Sequence, residues 1–166
     1  MIIDIYTHLA PRSFLDRMVV LAPKLGNIVN RLLAVKPLSD LDVRFRDMDT
    51  VPDYRQLISL PNPSLEEIGP ADTGRELARI ANDELAELCV KYPDRFIGFA
   101  ASVYLDDVDS AIAEADRAIH QLGAKGVLTT TMWRAIRWTR NAFALSSPPW
   151  RNGSARSGCT PAARPM

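Results

Sequence analysis

The sequence predicts an α/β fold in which helices alternate with the strands of a mostly parallel sheet. Short apolar segments, which indicate strands, recur four times before position 131. Longer segments with apolar residues at helical spacing lie between them. These connections are long enough for right-handed crossovers between parallel strands. Two architectures remain open on this basis, a doubly wound sheet and part of a (β/α)₈ barrel.

The first predicted strand lies in the segment 2–11, which carries three strongly polar side chains. Asp4, Tyr6 and His8 are separated by single residues. Because residues i and i+2 project from the same face of a strand, we expect all three on one face. A short buried strand that ends in a polar cluster is a common way for an α/β enzyme to present its first site residues.

Three helices are predicted between this strand and residue 50. Pro11 suits a first helical turn, and the apolar stripe that follows ends at Pro23. The second helix is expected from Leu25 to Val35, and the third follows an N-cap pattern at residues 39–42. The charged residues of the third helix, expected as solvated ion pairs, are Arg44, Arg46, Asp47 and Asp49.

The middle of the chain predicts a strand, a loop and a long helix. Residues 54–60 form the second strand, and the proline-rich segment 61–72 is expected to be irregular. A capping-box pattern at residues 73–76 then starts the clearest amphipathic helix of the chain.

Two further strands and one helix complete the alternation. Residues 96–103 are almost all apolar, as expected for a parallel strand buried on both faces. Asp106 is expected to cap the next helix, and Gly123 to end it. Residues 125–130 form the fourth strand.

Composition excludes several classes of protein. The chain has 166 residues, 47% apolar and 24% charged, as in a single globular domain. It shows no signal peptide and no apolar run near the roughly 18 residues that span a bilayer, so we expect no membrane partner. Cys89 and Cys159 form no metal-spaced pair, which favours a reduced, cytoplasmic protein. Glycine-rich phosphate-binding loops are absent, so nucleotide binding has no support.

Residues 132–166 differ sharply in composition from the rest. This tail holds six arginines, all three tryptophans and no acidic residue, whereas the whole chain has 20 acidic residues. A basic, aromatic tail would suit a nucleic-acid arm. A change of reading frame explains this composition better, and we expect no nucleic-acid partner.

Residues 2–131 resemble the amidohydrolase-related family, in particular its metal-dependent decarboxylase branch, which includes aminocarboxymuconate-semialdehyde decarboxylases. The resemblance covers about four fifths of the chain, but only the first half of a typical member. Four segments carry it, at residues 3–11, 44–49, 81–99 and 122–127.

The resemblance implies the N-terminal half of a distorted TIM barrel, with the site at the carboxyl ends of the strands. Members of the family bind one divalent metal, usually zinc. The first strand normally supplies His-x-His, and later segments supply a His-Pro histidine and an aspartate. The implied reaction is decarboxylation of a small aromatic or muconate-type carboxylic acid, with hydrolysis as the alternative.

The first strand departs from that pattern. His8 matches the second ligand, but Tyr6 stands where the first is expected. A phenol, with a pKa of about 10, is a much poorer zinc ligand than imidazole. His120 lies in a helix away from the pattern. Because catalytic zinc needs about three protein ligands, we expect this chain to bind no zinc or other divalent metal and to be inactive.

Two further expectations follow from the resemblance. In this family the insertion after the first strand caps the site, so Arg31 is a candidate for binding the substrate carboxylate; a solvated helix arginine is the alternative. A half barrel also leaves the edges of its first and fourth strands unpaired, so aggregation or a homodimer is expected.

The resemblance ends at Thr131, where the composition also changes, and this suggests a frameshift. If Met132–Arg140 is read one nucleotide earlier, permitted codons give Asn-Val-Ala-Gly-His-Pro-Leu-Asp-Glu, which is similar to the family. The same shift at residues 157–161 can give Trp-Leu-His-Pro, which resembles the missing ligand segment. We therefore divide the chain into a partial barrel at 1–131 and an unstructured, out-of-frame tail at 132–166. The alternative is a non-catalytic α/β module that uses the half-barrel surface or the basic tail for binding.

Overall fold

The computed structural model of the protein describes residues 1–129. These residues contain a four-stranded sheet and seven α-helices, with a single 3₁₀ turn at Pro23–Leu25. The strands are β1 (Ile2–His8), β2 (Tyr54–Ser59), β3 (Phe96–Ser102) and β4 (Gly126–Leu128). The helices are α1 (Arg12–Leu21), α2 (Gly26–Ala34), α3 (Lys36–Ser39), α4 (Leu41–Met48), α5 (Leu65–Ile68), α6 (Ala71–Lys91) and α7 (Val108–His120).

The four strands are parallel and lie in the order β1-β2-β3-β4. Each strand therefore pairs with its neighbour along the chain. A doubly wound sheet would reverse its strand order at a switch point, whereas a barrel keeps sequential order. The curled sheet is half of a (β/α)₈ barrel, and this confirms the predicted α/β fold class.

A bulge in β1 changes which residues share a face. Asp4 pairs with Gln56, but Thr7 pairs with Ile58, so β1 has one extra residue between these positions. Gln56 and Ile58 lie on one face of β2, and Ser59, the partner of His8, lies on the other. The prediction that Asp4, Tyr6 and His8 all share one face is therefore wrong for Asp4, because the bulge reverses the alternation.

The core lies between the sheet and α6. Ile58 and Phe99 belong to the same buried cluster as Leu85 of α6, and each of the three is at most 1% exposed. Full burial of an apolar side chain of this size contributes about 1.5–3 kcal/mol. A second cluster joins α1 to α6 through Phe14, Met18 and Leu77. The helices therefore cover the face of the sheet to which Ile58 belongs.

Helix boundaries differ from the predictions at several points, and the sequence does not predict α3. α6 begins at Ala71, not at residue 73, because the Gly74 N–H already donates to the Pro70 carbonyl at 2.9 Å. The expected irregular loop contains α5, where the Glu67 carboxylate accepts a hydrogen bond from the Ser64 N–H at 3.0 Å. Asp107, not Asp106, caps α7, accepting from the Ser110 N–H at 3.3 Å.

Cys89 and the membrane prediction can be compared with the structure, whereas the predictions for the tail cannot. Cys89 is half-buried in α6, as predicted, and burial raises the pKa of its thiol to about 11. No helix within residues 1–129 is long and apolar enough to cross a membrane. Cys159 and the predictions for residues 132–166 lie outside the described residues.

Candidate functional site

The carboxyl ends of β1 and β2 bring His8 and Ser59 together. The two residues are register partners at the ends of their strands, and Ser59 is only 4% exposed. His8 Nδ1 lies 3.0 Å from Ser59 Oγ. The parallel pairing continues beyond the strands, since the Leu9 N–H donates to the Ser59 carbonyl at 2.8 Å.

The hydrogen bonds of Ser59 determine the tautomer of His8. Ser59 Oγ also lies 2.9 Å from the carbonyl oxygen of Thr7, which can only accept a hydrogen bond. The single hydroxyl proton of Ser59 is therefore donated to Thr7. Ser59 Oγ must then accept from His8, which places a proton on Nδ1. In this neutral tautomer Nε2 carries no proton, so its lone pair can bind a metal ion or accept a proton.

The surroundings of His8 favour its neutral form. Burial lowers the pKa of the imidazole, the Leu60 backbone carbonyl opposes this, and the Arg44 charge adds to the lowering. A neutral imidazole is the form that binds metals or accepts protons. At neutral pH, His8 is thus prepared for either role.

Tyr6 lies beside His8, as the sequence predicts for residues two apart. The two rings are 5.0 Å apart between centroids and meet edge to face. The Tyr6 side chain is 74% exposed. A phenol therefore occupies the place next to His8 where the His-x-His pattern of the family has a second imidazole.

Arg44 is buried, and this corrects its prediction as a solvated ion-pair residue. It is 5% exposed and donates three hydrogen bonds to uncharged acceptors. Nε donates to Gln56 Oε1 at 2.7 Å, and Nη1 donates to the carbonyls of His8 at 2.7 Å and Pro37 at 2.9 Å. Helical spacing could not reveal this role, because the acceptors lie on other elements. The remaining three charged residues, Arg46, Asp47 and Asp49, are exposed as predicted.

A polar chain connects Arg44 with Asp4 on the helix-covered face of the sheet. The Gln56 amide donates to the Tyr54 hydroxyl at 3.2 Å, and that hydroxyl donates to Asp4 Oδ2 at 2.7 Å. Asp4 Oδ1 accepts from the Tyr6 N–H at 3.0 Å and so closes the bulge. The hydrogen bond from Tyr54 is the main cause that lowers the pKa of Asp4.

Comparison with known proteins identifies the family. The amidohydrolase family profile matches residues 3–153. The chain belongs to the amidohydrolase family. Gamma-resorcylate decarboxylase of Rhodococcus jostii (strain RHA1) is 41% identical over 96 residues, which are 58% of this chain and 29% of the relative.

Two solved structures of decarboxylases are also similar to this chain. One is 2,6-dihydroxybenzoate decarboxylase complexed with 2,6-dihydroxybenzoate, with 32% identity and a TM-score of 0.61 over 77% of this chain and 38% of that chain. The other is the dihydroxybenzoic acid decarboxylase of Polaromonas sp. JS666, with bound manganese and 2-nitroresorcinol. It gives 30% identity and a TM-score of 0.60 over 77% of this chain and 37% of that chain. The chain thus spans less than half the length of these relatives.

The other candidate residues lie apart from His8 in sequence and secondary structure. Arg31 is exposed in the last turn of α2. His120 ends α7, where its Nε2 lies 3.6 Å from Asp116 Oδ1. His120 is therefore located in the helix after β3, as predicted, and is exposed.

Residues 1–129 do not by themselves fit the divalent metal of this family. Within them, no three His, Cys, Asp or Glu side chains are grouped closely enough to hold a metal ion. His8 Nε2 is one suitable donor, and its tautomer is fixed by a hydroxyl group, as metal-ligating histidines commonly require. A complete metal site therefore needs donors from outside these residues.

Proposed function

We propose that this chain carries the N-terminal part of the active site of a decarboxylase for small aromatic carboxylic acids, with His8 as a metal ligand. The observation that carries the proposal is the fixed Nδ1–H tautomer of His8 at the carboxyl end of β1, with Nε2 available. Its amidohydrolase relatives include decarboxylases of resorcylate and dihydroxybenzoate. Zinc and manganese are both candidate metals, and manganese is present in one relative.

The proposed reaction breaks the bond between a ring carbon and the carboxylate. The electron pair of that bond stays on the ring carbon, which takes a proton as CO₂ leaves. His8 would hold the metal through Nε2, and Ser59 would keep the ring oriented through Nδ1. Arg31 remains a candidate for the substrate carboxylate because of its place in the insertion after β1. Hydrolysis is the alternative reaction.

A second candidate function is a non-catalytic α/β module, and Tyr6 is the observation that favours it. A phenol beside His8 replaces a strong ligand by a weak one at neutral pH. Among the described strands, β1 lies at one edge of the sheet and exposes Ile3, Ile5 and Tyr6, which would suit a homodimer. Under this proposal the chain is inactive, binds no metal and resides in the cytoplasm.

Metal binding to the full chain separates the two candidates. The free Mn²⁺ signal in electron paramagnetic resonance, measured during titration, reports binding directly. We expect Tyr6→His to bind Mn²⁺ about tenfold more tightly than the unchanged chain, and Tyr6→Phe to show no gain. Adding His8→Ala to Tyr6→His should abolish the gain, whereas His120→Ala should not. Equal affinities for Tyr6→His and Tyr6→Phe would reject the ligand role of His8.

Catalysis and the reading frame need separate tests. Release of CO₂ from 2,6-dihydroxybenzoate should be undetectable for the unchanged chain. It should appear when Tyr6→His is combined with the shifted frame from residue 132 onward. The frameshift itself stays a prediction, and the nucleotides that encode residues 129–140 test it directly.

A further inference from the structure

We infer that Arg44 is a positioning residue for His8, acting through the backbone at the end of β1. The inference rests on the proposed role of His8 as a ligand. The hydrogen bond of Arg44 to His8 goes to the backbone carbonyl and not to the imidazole ring. Its Nη1 donates to the carbonyl oxygen of His8 at 2.7 Å and to that of Pro37 at 2.9 Å. One guanidinium group thus ties the last residue of β1 to α3.

The same side chain also ties β1 to β2. Arg44 Nε donates to Gln56 Oε1 at 2.7 Å, and Gln56 is 7% exposed. Gln56 lies on β2 three residues before Ser59, which holds the His8 ring. The backbone of His8 and the strand that carries its ring acceptor are therefore fixed by a single planar group with several donors.

Burial makes this arrangement rigid. The guanidinium lies 5.8 Å from the centre of the Phe96 ring, and Arg44 is 5% exposed. A buried cation without its hydrogen-bond acceptors would raise the free energy of the folded state. The charge of Arg44 therefore keeps each acceptor in place. The Asp4 carboxylate, three hydrogen bonds away through Gln56 and Tyr54, supplies the opposite charge. Displacing the His8 carbonyl would therefore also disturb this polar chain.

A purely structural role would predict a different result from a positioning role. If Arg44 only attached α4 to the sheet, its loss would lower stability and leave the His8 ring unchanged in molecules that remain folded. If Arg44 positions His8, its loss lets the end of β1 move relative to Ser59. The hydrogen bond from Nδ1 to Ser59 Oγ then weakens, and the Nε2–H tautomer becomes populated.

Nitrogen-15 NMR of the imidazole rings can distinguish these cases in the full chain without metal or substrate. The chain has two histidines, so exposed His120 serves as an internal reference. At a pH where both rings are neutral, the unchanged chain should show His8 mainly as the Nδ1–H tautomer. Arg44→Met should reduce that share about twofold or more, and Arg44→Lys should lie between the two because an ammonium group can still reach one carbonyl.

Two control variants keep the result interpretable. Arg46→Met removes an exposed arginine from the same helix and should change nothing. Met48→Ala removes a side chain of α4 that is 3% exposed, so it should lower stability without changing the His8 tautomer. The inference is overturned if Arg44→Met leaves the tautomer unchanged or if Met48→Ala changes it equally. If Arg44→Met does not fold, Arg44→Lys decides by the same comparison. A metal titration that shows no binding would not contradict the NMR result. An NMR result that shows an unchanged tautomer would not contradict metal binding by His8.

Discussion

Asn82 forms two hydrogen bonds with the backbone of Ser102, so a helix side chain acts as a partner for the last residue of β3. Nδ2 donates to the Ser102 carbonyl and Oδ1 accepts from the Ser102 N–H, each at 2.9 Å. Nδ2 also donates to Glu114 Oε1 at 2.8 Å. Asn82 is 0% exposed, and through these contacts α6 fixes both β3 and α7.

Asn82→Leu should therefore be strongly destabilising although it keeps a similar side-chain volume. The substitution leaves the N–H and the carbonyl of Ser102 without their side-chain partner in a buried place. We expect a loss of about 3 kcal/mol in the free energy of unfolding, measured by urea denaturation. Asn30→Leu, at an exposed position of α2, is the matched control and should change stability by less than about 0.5 kcal/mol. Equal losses in the two variants would contradict this account.

Two helical glycines should respond to alanine in opposite directions. A Cβ at Gly74 in α6 would meet the Tyr104 ring at 2.0 Å, close to the base of the ring, so the backbone or the ring must move. We expect Gly74→Ala to lower stability by about 2 kcal/mol or more. A Cβ at Gly26, the first residue of α2, would meet nothing within 4 Å. Gly26→Ala should raise stability by about 0.5 kcal/mol.

Thermal denaturation of these two variants measures both effects under one set of conditions. Opposite shifts of the midpoint are the expected result. A midpoint for Gly74→Ala at or above that of the unchanged chain would show that the helix accommodates Tyr104 in another rotamer.

The sequence predicts those features that depend on local periodicity. Four strands, the alternation with helices and the half-barrel architecture follow from apolar spacing and from the segments shared with the amidohydrolase family. The position of Tyr6 beside His8 follows from strand alternation alone. The cap of α4 is displaced by one residue from the predicted pattern, since Asp40 and not Ser39 accepts from the N–H groups of Asp42 and Val43.

Features that depend on distant pairing could not be predicted in this way. The bulge after Asp4 exists only relative to β2, so the sequence of β1 does not reveal it. The burial of Arg44 depends on acceptors 7 to 36 residues away in the chain. Asn82 has the same property, because its partners are 20 and 32 residues away. Such residues look like ordinary polar positions of amphipathic helices.

Ser59→Ala should disturb both the stability and the ring of His8. The substitution removes the acceptor of His8 Nδ1 and the donor to the Thr7 carbonyl. We expect a loss of about 1–2 kcal/mol in urea denaturation, together with a smaller Nδ1–H share for His8 by NMR. Ser13→Ala is a suitable control, since Ser13 is exposed in α1 and its backbone N–H, which alanine keeps, donates to Glu84 Oε2 at 2.8 Å. That variant should be neutral or slightly stabilising, and a loss equal to that of Ser59→Ala would contradict the proposed hydrogen bonding.

The Asp4 carboxylate should make the stability of the chain depend on acidic pH. Its pKa is lowered from 3.8, first by the hydrogen bond from Tyr54 and then by that from the Tyr6 N–H. Because the folded state prefers the charged form, this contribution is present above the unfolded pKa of 3.8. It is lost as the pH falls through the lower folded pKa. Urea denaturation at a series of pH values down to about pH 3 should show the decline.

Asp4→Asn should be less stable at neutral pH and should show a flatter decline, since no carboxylate remains to be protonated at this place. Asp47→Asn removes an exposed carboxylate from α4 and is the control for the loss of one negative charge. If Asp4→Asn and Asp47→Asn give the same curve, the bulge at Asp4 does not depend on its charge.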